Sequence, residues 1–239
     1  ITEYYFGEQY DVHGGGLDLI FPHHEAEITQ MEAVSGKSPM VRYWLHTGFL
    51  NVNGEKMSKS LHNFITIREL LESYEPDTFR FFVLSTHYRS PIDFSKDSLH
   101  QSERSLERIR KYYEQLDVEV GDEKIECDAL APHMKEFFDS MDDDFNTPKA
   151  IAAIFGLIND TKNDLGSYST EDKIAIKAFL DDAAHILGVS FETEEVNAGS
   201  DDLLNLISEV RSELRANKQY DLSDKIRDNL QALGYDIND

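Results

Sequence analysis

The sequence predicts an α/β region followed by all-α helical bundles. Three observations carry this. Residues 1–65 are rich in glycine, histidine and aromatic residues and alternate strand-like with helix-like patterns. From about residue 66 onward the periodicity is helical. At 239 residues and 40% hydrophobic content, the chain is long and apolar enough for two or three small domains.

Taken in order, "YDVHGGGLD" (10–18) reads as a short strand entering a glycine turn. "PHHEAEITQMEAVSG" (22–36) reads as a helix, with Pro22 in its first turn and Gly36 at its end. "VRYWLHTGFLNVNGEK" (41–56) reads as strand, with Asn53 and Gly54 forming a tight turn. Strand, helix, strand in this order is a piece of an α/β domain. Thr66 and Glu69 have the spacing of a capping box. A proline opens "PDTFRFFVLSTHY" (76–88), and residues 95–116 form a long charged amphipathic helix. "DVEVGDEKIECD" (117–128) reads as an acidic linker, and "FETEEVNAGS" (191–200) as a second one. Thr147 is the expected N-cap of a helix with Pro148 at its first position. Helices over 170–187, 201–217 and 221–233 complete the pattern. Four regions are expected: 1–65, 66–116, 117–190 and 191–239.

Composition narrows the function classes. No run of 18 apolar residues exists, so no membrane span is expected, and there is no basic-then-apolar leader. The one cysteine, Cys127, allows no internal disulfide and favours a reducing, cytoplasmic setting. It lies in the acidic linker and reads as an incidental thiol. The formal net charge of −23 argues against a broad basic footprint for nucleic acid. Net charge is an average, however, and a local basic face can sit on an acidic body.

Three clusters carry possible chemistry. Gly14, Gly15 and Gly16 let backbone approach a ligand closely, and Asp18 just beyond them has the acceptor oxygens to bind ribose hydroxyls. A tight structural turn is the plain alternative. His23 and Glu27, four apart on a helix, share a face and offer half of a tetrahedral zinc site. A helix start with acidic residues in its first turn is the plain alternative there. In "NGEKMSKSLHNF" (53–64), Lys56 and Lys59 flank small residues after a turn. Two ammonium groups on such a loop can neutralise charge on a polyphosphate leaving group. The spacing is not that of a Walker loop, and a solvated lysine loop would look the same.

In combination, "HGGGLDLIFPHHEAE" (13–27), "RYWLHTGFLNVNGEKMSKSLHNF" (42–64), "RFFVLSTHYRSPIDFS" (80–95) and "MDDDFNTPKA" (141–150) resemble the cysteinyl-tRNA synthetases, a class I aminoacyl-tRNA synthetase family. "DLSDKIRDNLQALGYDI" (221–237) resembles the family's C-terminal piece. The resemblance implies the C-terminal part of a Rossmann-type catalytic domain followed by helical tRNA-binding domains. It also implies ATP-dependent activation of cysteine and transfer to tRNA-Cys, with ATP and Mg²⁺ and one zinc ion. His23 and Glu27 map onto the family's zinc-binding histidine and glutamate. The family's two zinc-binding cysteines lie upstream of "HGGG", and this chain has no cysteine before Cys127. The family's "HIGH" element is also absent, so the chain resembles a C-terminal fragment missing the N-terminal half of the catalytic domain. His13, Gly14, Gly15, Gly16 and Asp18 would line the adenylate pocket. Lys56 and Lys59, within the motif Lys56, Met57, Ser58, Lys59, Ser60, would stabilise departing pyrophosphate. Two positions depart from the family pattern: Ala26 where asparagine is common, and His62 where glycine is common.

For tRNA, Arg104, Arg108 and Lys111 share one face of a predicted helix, and Arg211, Arg215 and Lys218 repeat that spacing. Basic residues paired with nearby glutamates would show the same spacing. Two other functions fit parts of the pattern: a ligase joining cysteine to an amino-sugar, and a non-catalytic RNA- or protein-binding module.

Overall fold

The computed structural model describes residues 2–52, 54–57, 65–121 and 125–192, with short stretches between 206 and 229. Two units emerge, Ile1–Glu192 and Thr193–Asp239. In the first, α1 (Thr2–Phe6) leads into β1 (Tyr10–Gly16), a 3-10 turn (Leu17–Leu19) and an irregular π-type turn (Ile20–His24). Next come α2 (Glu25–Ser35) and β2 (Val41–Thr47), which lies parallel to β1. This is the expected strand–helix–strand unit. Gly36 closes α2 at φ +69°, a left-handed conformation suited to glycine. The strand differs from expectation in one respect. β1 runs through all three glycines, because its pairing continues to Gly16 opposite Thr47.

The strand expected from residue 41 to the Asn53–Gly54 turn is broken. β2 ends at Thr47, and β3 (Leu50–Val52) and β4 (Glu55–Lys56) form a separate sheet with β5 (Ile92–Phe94) in the order β4-β3-β5. The break falls at Gly48, where a Cβ would lie 2.2 Å from the Ser90 carbonyl oxygen. A second segment of chain crosses there, and β3 pairs with β5 rather than continuing β2.

Helices α3 (Ile67–Leu71), α4 (Pro76–Leu84) and α5 (Lys96–Leu116) follow. Thr66 and Glu69 close the expected capping box, and Ser95 caps α5. A small core of Leu70, Phe82, Phe94 and Leu99 ties α3, α4 and α5 to the second sheet.

The bundle consists of α5, α6 (Ala131–Asp142), α7 (Thr147–Thr161) and α8 (Thr170–Leu187). Of these, α6 is the helix that sequence patterns do not single out. The N-cap of α7 is Asn146, whose side chain accepts the Lys149 N–H. The expected cap, Thr147, instead donates its hydroxyl to the Leu84 carbonyl at 2.7 Å, so a long-range contact takes the group that local chemistry would use. The core of the bundle includes Leu106, Ile109, Phe137, Ile154, Ile176 and Leu180, each at most 1% exposed. Cys127, read from sequence as an incidental linker thiol, is buried in this same core. Burial pushes its thiol pKa up, so it behaves as a small apolar residue.

In the second unit, the described residues 206–208, 210–211, 214–215, 222–226 and 229 are helical. Among the described residues, no helix is long and apolar enough to cross a membrane.

Phe137 is fully buried and meets Phe179 edge-on at 5.5 Å. Phe137→Ala should lower unfolding stability by about 3–5 kcal/mol, the range for emptying a large aromatic site. Urea unfolding monitored by far-UV circular dichroism measures it, and a loss below about 1 kcal/mol would contradict this packing.

Candidate functional site

The site grows out of the parallel strand pair. His13 and Gly15 alternate along β1 and share a face. The register places Trp44 and His46 of β2 beside them. The His13 ring lies 4.8 Å from Trp44, and the Trp44 and His46 rings are parallel. Onto this platform the turn before α2 lowers His24. Its ring sits 4.8 Å from Trp44 and 5.0 Å from His46, and its Nδ1 is 2.9 Å from His46 Nε2.

Gly15 makes this possible. A Cβ there would stand 2.7 Å from His24 Cε1 and 2.9 Å from Nε2. At Gly16 a Cβ would meet only the mobile end of Asp18, with Oδ1 at 2.5 Å, so a side chain there would displace Asp18. Gly14 has room, its nearest neighbour being the Leu45 carbonyl at 3.7 Å. Asp18 therefore folds back over Gly16, on the exposed side of the 3-10 turn.

His13, His24 and Glu27 form the cluster that fits a metal. One ligand atom from each lies within 4.8 Å of the others. His13 Nε2 is 3.4 Å from Glu27 Oε2. Zinc holds nitrogen and oxygen donors at roughly 2.0–2.2 Å, so two ligands of one ion sit about 3.4 Å apart. The donor set suits that ion, with two imidazoles and a carboxylate leaving a position open. Tyr10 Oη lies 2.6 Å from His13 Nδ1 and orients the ring with Nε2 toward Glu27. Burial, then the neighbouring His13, hold the His24 pKa below its ordinary value, with Glu27 pulling the other way. A neutral imidazole keeps a lone pair for a metal.

The sequence named His23 with Glu27, whereas in the structure it is His24 that lies beside His13 and Glu27. His23 is exposed, whereas His24 is 5% exposed. Successive residues of a helical turn point about 100° apart, so one of two adjacent histidines faces the sheet and the other faces solvent. The open space over Gly15 selects His24. His13, expected at an adenylate pocket, belongs to this cluster. Nothing in the local spacing pairs it with Glu27, because the two meet only through the strand–helix crossover.

Of the lysine loop, the structure describes the Lys56 backbone in β4 and Met57, whose N–H donates to the Leu50 carbonyl at 3.0 Å. The Lys56 side chain, Ser58, Lys59, Ser60 and His62 lie outside the described residues. So does Lys218.

Arg104, Arg108 and Lys111 stand exposed on α5. With Lys162, at the C-terminal end of α7, they line a groove of about 340 Å³ whose one carboxylate among the described residues is Glu107. Arg108 stacks over Phe155 at 5.2 Å and donates to the Asn159 side-chain oxygen. Lys162 reaches the same oxygen at 3.4 Å. By contrast Arg110, on the other side of α5, pairs with Glu75 at 2.8 Å and Asp77 at 3.4 Å. Sequence spacing found the α5 stripe but missed Lys162, because it belongs to a different helix. In the second unit, Arg211 is 4% exposed, so it leaves the expected phosphate-facing stripe, while Arg215 is partly exposed.

Residues 1–104 match the model of the class I (C) tRNA synthetase catalytic domain, and residues 136–192 match the DALR domain. The chain is 43% identical to the cysteine--tRNA ligase of Thermococcus gammatolerans over 98% of its own length and 52% of that protein's. Identity to the ligase of Thermococcus onnurineus is 45%, and to that of Carboxydothermus hydrogenoformans 43%, each over the same shares. The chain thus spans about half the length of these curated relatives. Among solved structures, the Agrobacterium radiobacter K84 agnB2 LeuRS in a ternary complex with tRNA and LeuAMS is similar in fold. It has a TM-score of 0.60 at 19% identity and covers 73% of this chain and 25% of that one.

Gly15→Ala should push His24 off the sheet and disperse the cluster. In two-dimensional NMR, the His13, His24 and His46 ring resonances should all shift, with the α8 amide signals unchanged. Unmoved ring signals would show that the close approach does not set the cluster.

Proposed function

Because this chain belongs to the cysteine–tRNA ligase family, we propose that it supplies the amino-acid-recognising and lysine-loop half of such an enzyme. The observation carrying the reading is the His13, His24 and Glu27 cluster, set on a parallel strand pair beside the glycines of β1. These three side chains would hold zinc, which supplies a thiophilic Lewis acid able to prefer a substrate thiolate over a hydroxyl. The rest of the selection is done by this chain's own groups. Trp44 and His46 wall the site on the sheet side, and Tyr10 and His46 fix the orientations of His13 and His24. Lys56 and Lys59 would neutralise the pyrophosphate leaving from ATP with its Mg²⁺. Asp18 and the glycines of β1 would approach the adenylate.

The other half of the catalytic domain has a place to dock. Parallel sheets are normally covered on both faces. Here, among the described residues, β1 and β2 form a two-stranded sheet. On the face opposite the histidines, Val12 is 55% and Tyr43 67% exposed. Tyr4, Tyr5 and Phe21 are exposed as well. A partner segment that packs over this face and extends the two-stranded sheet at its edges fits this apolar surface.

The groove between α5 and α7 is the proposed contact for the tRNA backbone. Its cations are left facing solvent on a chain with twice as many acidic as basic residues, 46 against 23. The match of residues 136–192 to the DALR domain favours this tRNA reading over the cysteine–amino-sugar ligase.

The family's two zinc-binding cysteines have no counterpart in this chain, so alone it is expected to hold zinc weakly and to show no cysteine-dependent ATP–pyrophosphate exchange. Completion with the remaining half of a curated relative should restore both, and Glu27→Gln should lower zinc content measured by metal analysis. Tight zinc and full exchange by the isolated chain, or no exchange after completion, would refute the reading. In the completed enzyme, Arg104→Glu with Lys111→Glu should weaken tRNA binding at least roughly tenfold. It should also flatten the plot of log affinity against log salt by about 0.7–0.9 per lost phosphate contact. Cysteine activation, which needs no tRNA, is the folding control, and an unchanged salt slope would remove the groove from the RNA interface.

A further inference from the structure

Two stretches that the site does not use, "STHYRSPIDF" (85–94) and "MDDDFNTPKA" (141–150), meet in the fold. Their meeting point is Asp144, between α6 and α7. Its carboxylate accepts the Tyr88 hydroxyl at 2.7 Å and is gripped by Arg89 through Nε at 2.5 Å and Nη2 at 3.0 Å. His87 Nε2 stands 3.8 Å away and stacks on the Tyr88 ring. These donors hold the Asp144 carboxyl well below its ordinary range, at about 2. The Asp144 backbone is left-handed at φ +59°, followed by Phe145 at φ +54°. Side chains disfavour that conformation, so the surrounding contacts must maintain it. Asp144 thus does more than close a helix turn: the turn is bent to present its carboxylate to residues 87–89.

The gripped segment supports something else on its far side. The Tyr88 carbonyl accepts the Gly48 N–H at 2.7 Å, and Ser90 lies so close to Gly48 that no Cβ would fit. Ile92 N–H donates to the Phe49 carbonyl at 2.9 Å, opening the β3–β5 pairing. Asp93 accepts the Gly54 N–H at 2.9 Å, at the turn between β3 and β4. A continuous series of contacts therefore runs from the α6–α7 turn to the strand carrying Lys56.

We propose that Asp144 is a positioning residue: by holding Tyr88 and Arg89 it places residues 87–94, and through them the β3–β4 hairpin from which the lysine loop starts. The helical bundle then determines where the lysine loop begins. Any effect on ATP rests on the role proposed above for the loop, whereas the mechanical linkage does not.

Hydrogen exchange on this chain separates the linkage from a merely local role. Asp144→Asn keeps the shape but removes the charge that pairs with Arg89. Exchange should accelerate roughly tenfold in residues 85–94 and also in 47–57, with 170–187 unchanged. Acceleration confined to 85–94 and 141–150, or none at all, overturns the proposal. If exchange in 170–187 shows that Asp144→Asn fails to fold, Arg89→Lys is read by the same criteria, since it keeps the charge and loses the two-pronged grip. In the completed enzyme the same variants should raise the ATP KM several-fold, with tRNA affinity retained. An ATP KM unchanged in an active enzyme counts against the ATP role of the lysine loop, while the exchange result decides the linkage. A completed enzyme inactive without any substitution counts instead against the functional reading, and leaves the exchange result to decide the linkage.

Discussion

The candidate site depends on one close approach, the imidazole of His24 laid directly on the backbone of Gly15. Everything else there follows from it. With His24 against the sheet, its ring reaches Trp44 and His46, and its neighbour His23 is turned outward. The first turn of α2 is then anchored over β1, which carries Glu27 to His13. A single methyl group at position 15 would fill the space that the ring occupies. The glycine is required by volume rather than by backbone dihedral, because β1 is extended at that point.

Apolar packing and charge play separate parts in the helical region. Fully buried aliphatic and aromatic side chains hold α5 to α8 together, and each contributes on the order of 1.5–3 kcal/mol of burial. The charges at the edge are not uniform. Arg110 and Arg89 are held by carboxylates, and both tie separate segments together. The cations of the α5–α7 groove are held by Asn159 and an aromatic ring, or line the groove with no carboxylate partner among the described residues. On so acidic a chain this uneven pairing, rather than the net charge, indicates where a polyanion can approach.

Helices were legible where side chains cap their own ends. Thr66 and Gly36 mark boundaries through contacts a few residues long, and these boundaries hold. Reading failed where a distant segment intervened. The strand expected between residue 41 and the Asn53–Gly54 turn breaks because Ser90 crosses Gly48. Thr147 yields its capping role because Leu84 takes its hydroxyl. Cys127, in an acidic stretch that reads as linker, is buried because the bundle closes over it.

By itself the sequence determined that an α/β region precedes helices and that α5 carries a basic stripe. These are properties of periodicity, and periodicity is local. Tertiary structure alone decided which histidine joins Glu27, that His13 completes the group, that Lys162 extends the stripe and that Asp144 meets Arg89. Each of these depends on two segments far apart in the chain being brought within a few ångströms. Spacing along one element carries no information about such meetings, since they are set by crossover geometry and by the volume that a glycine leaves empty.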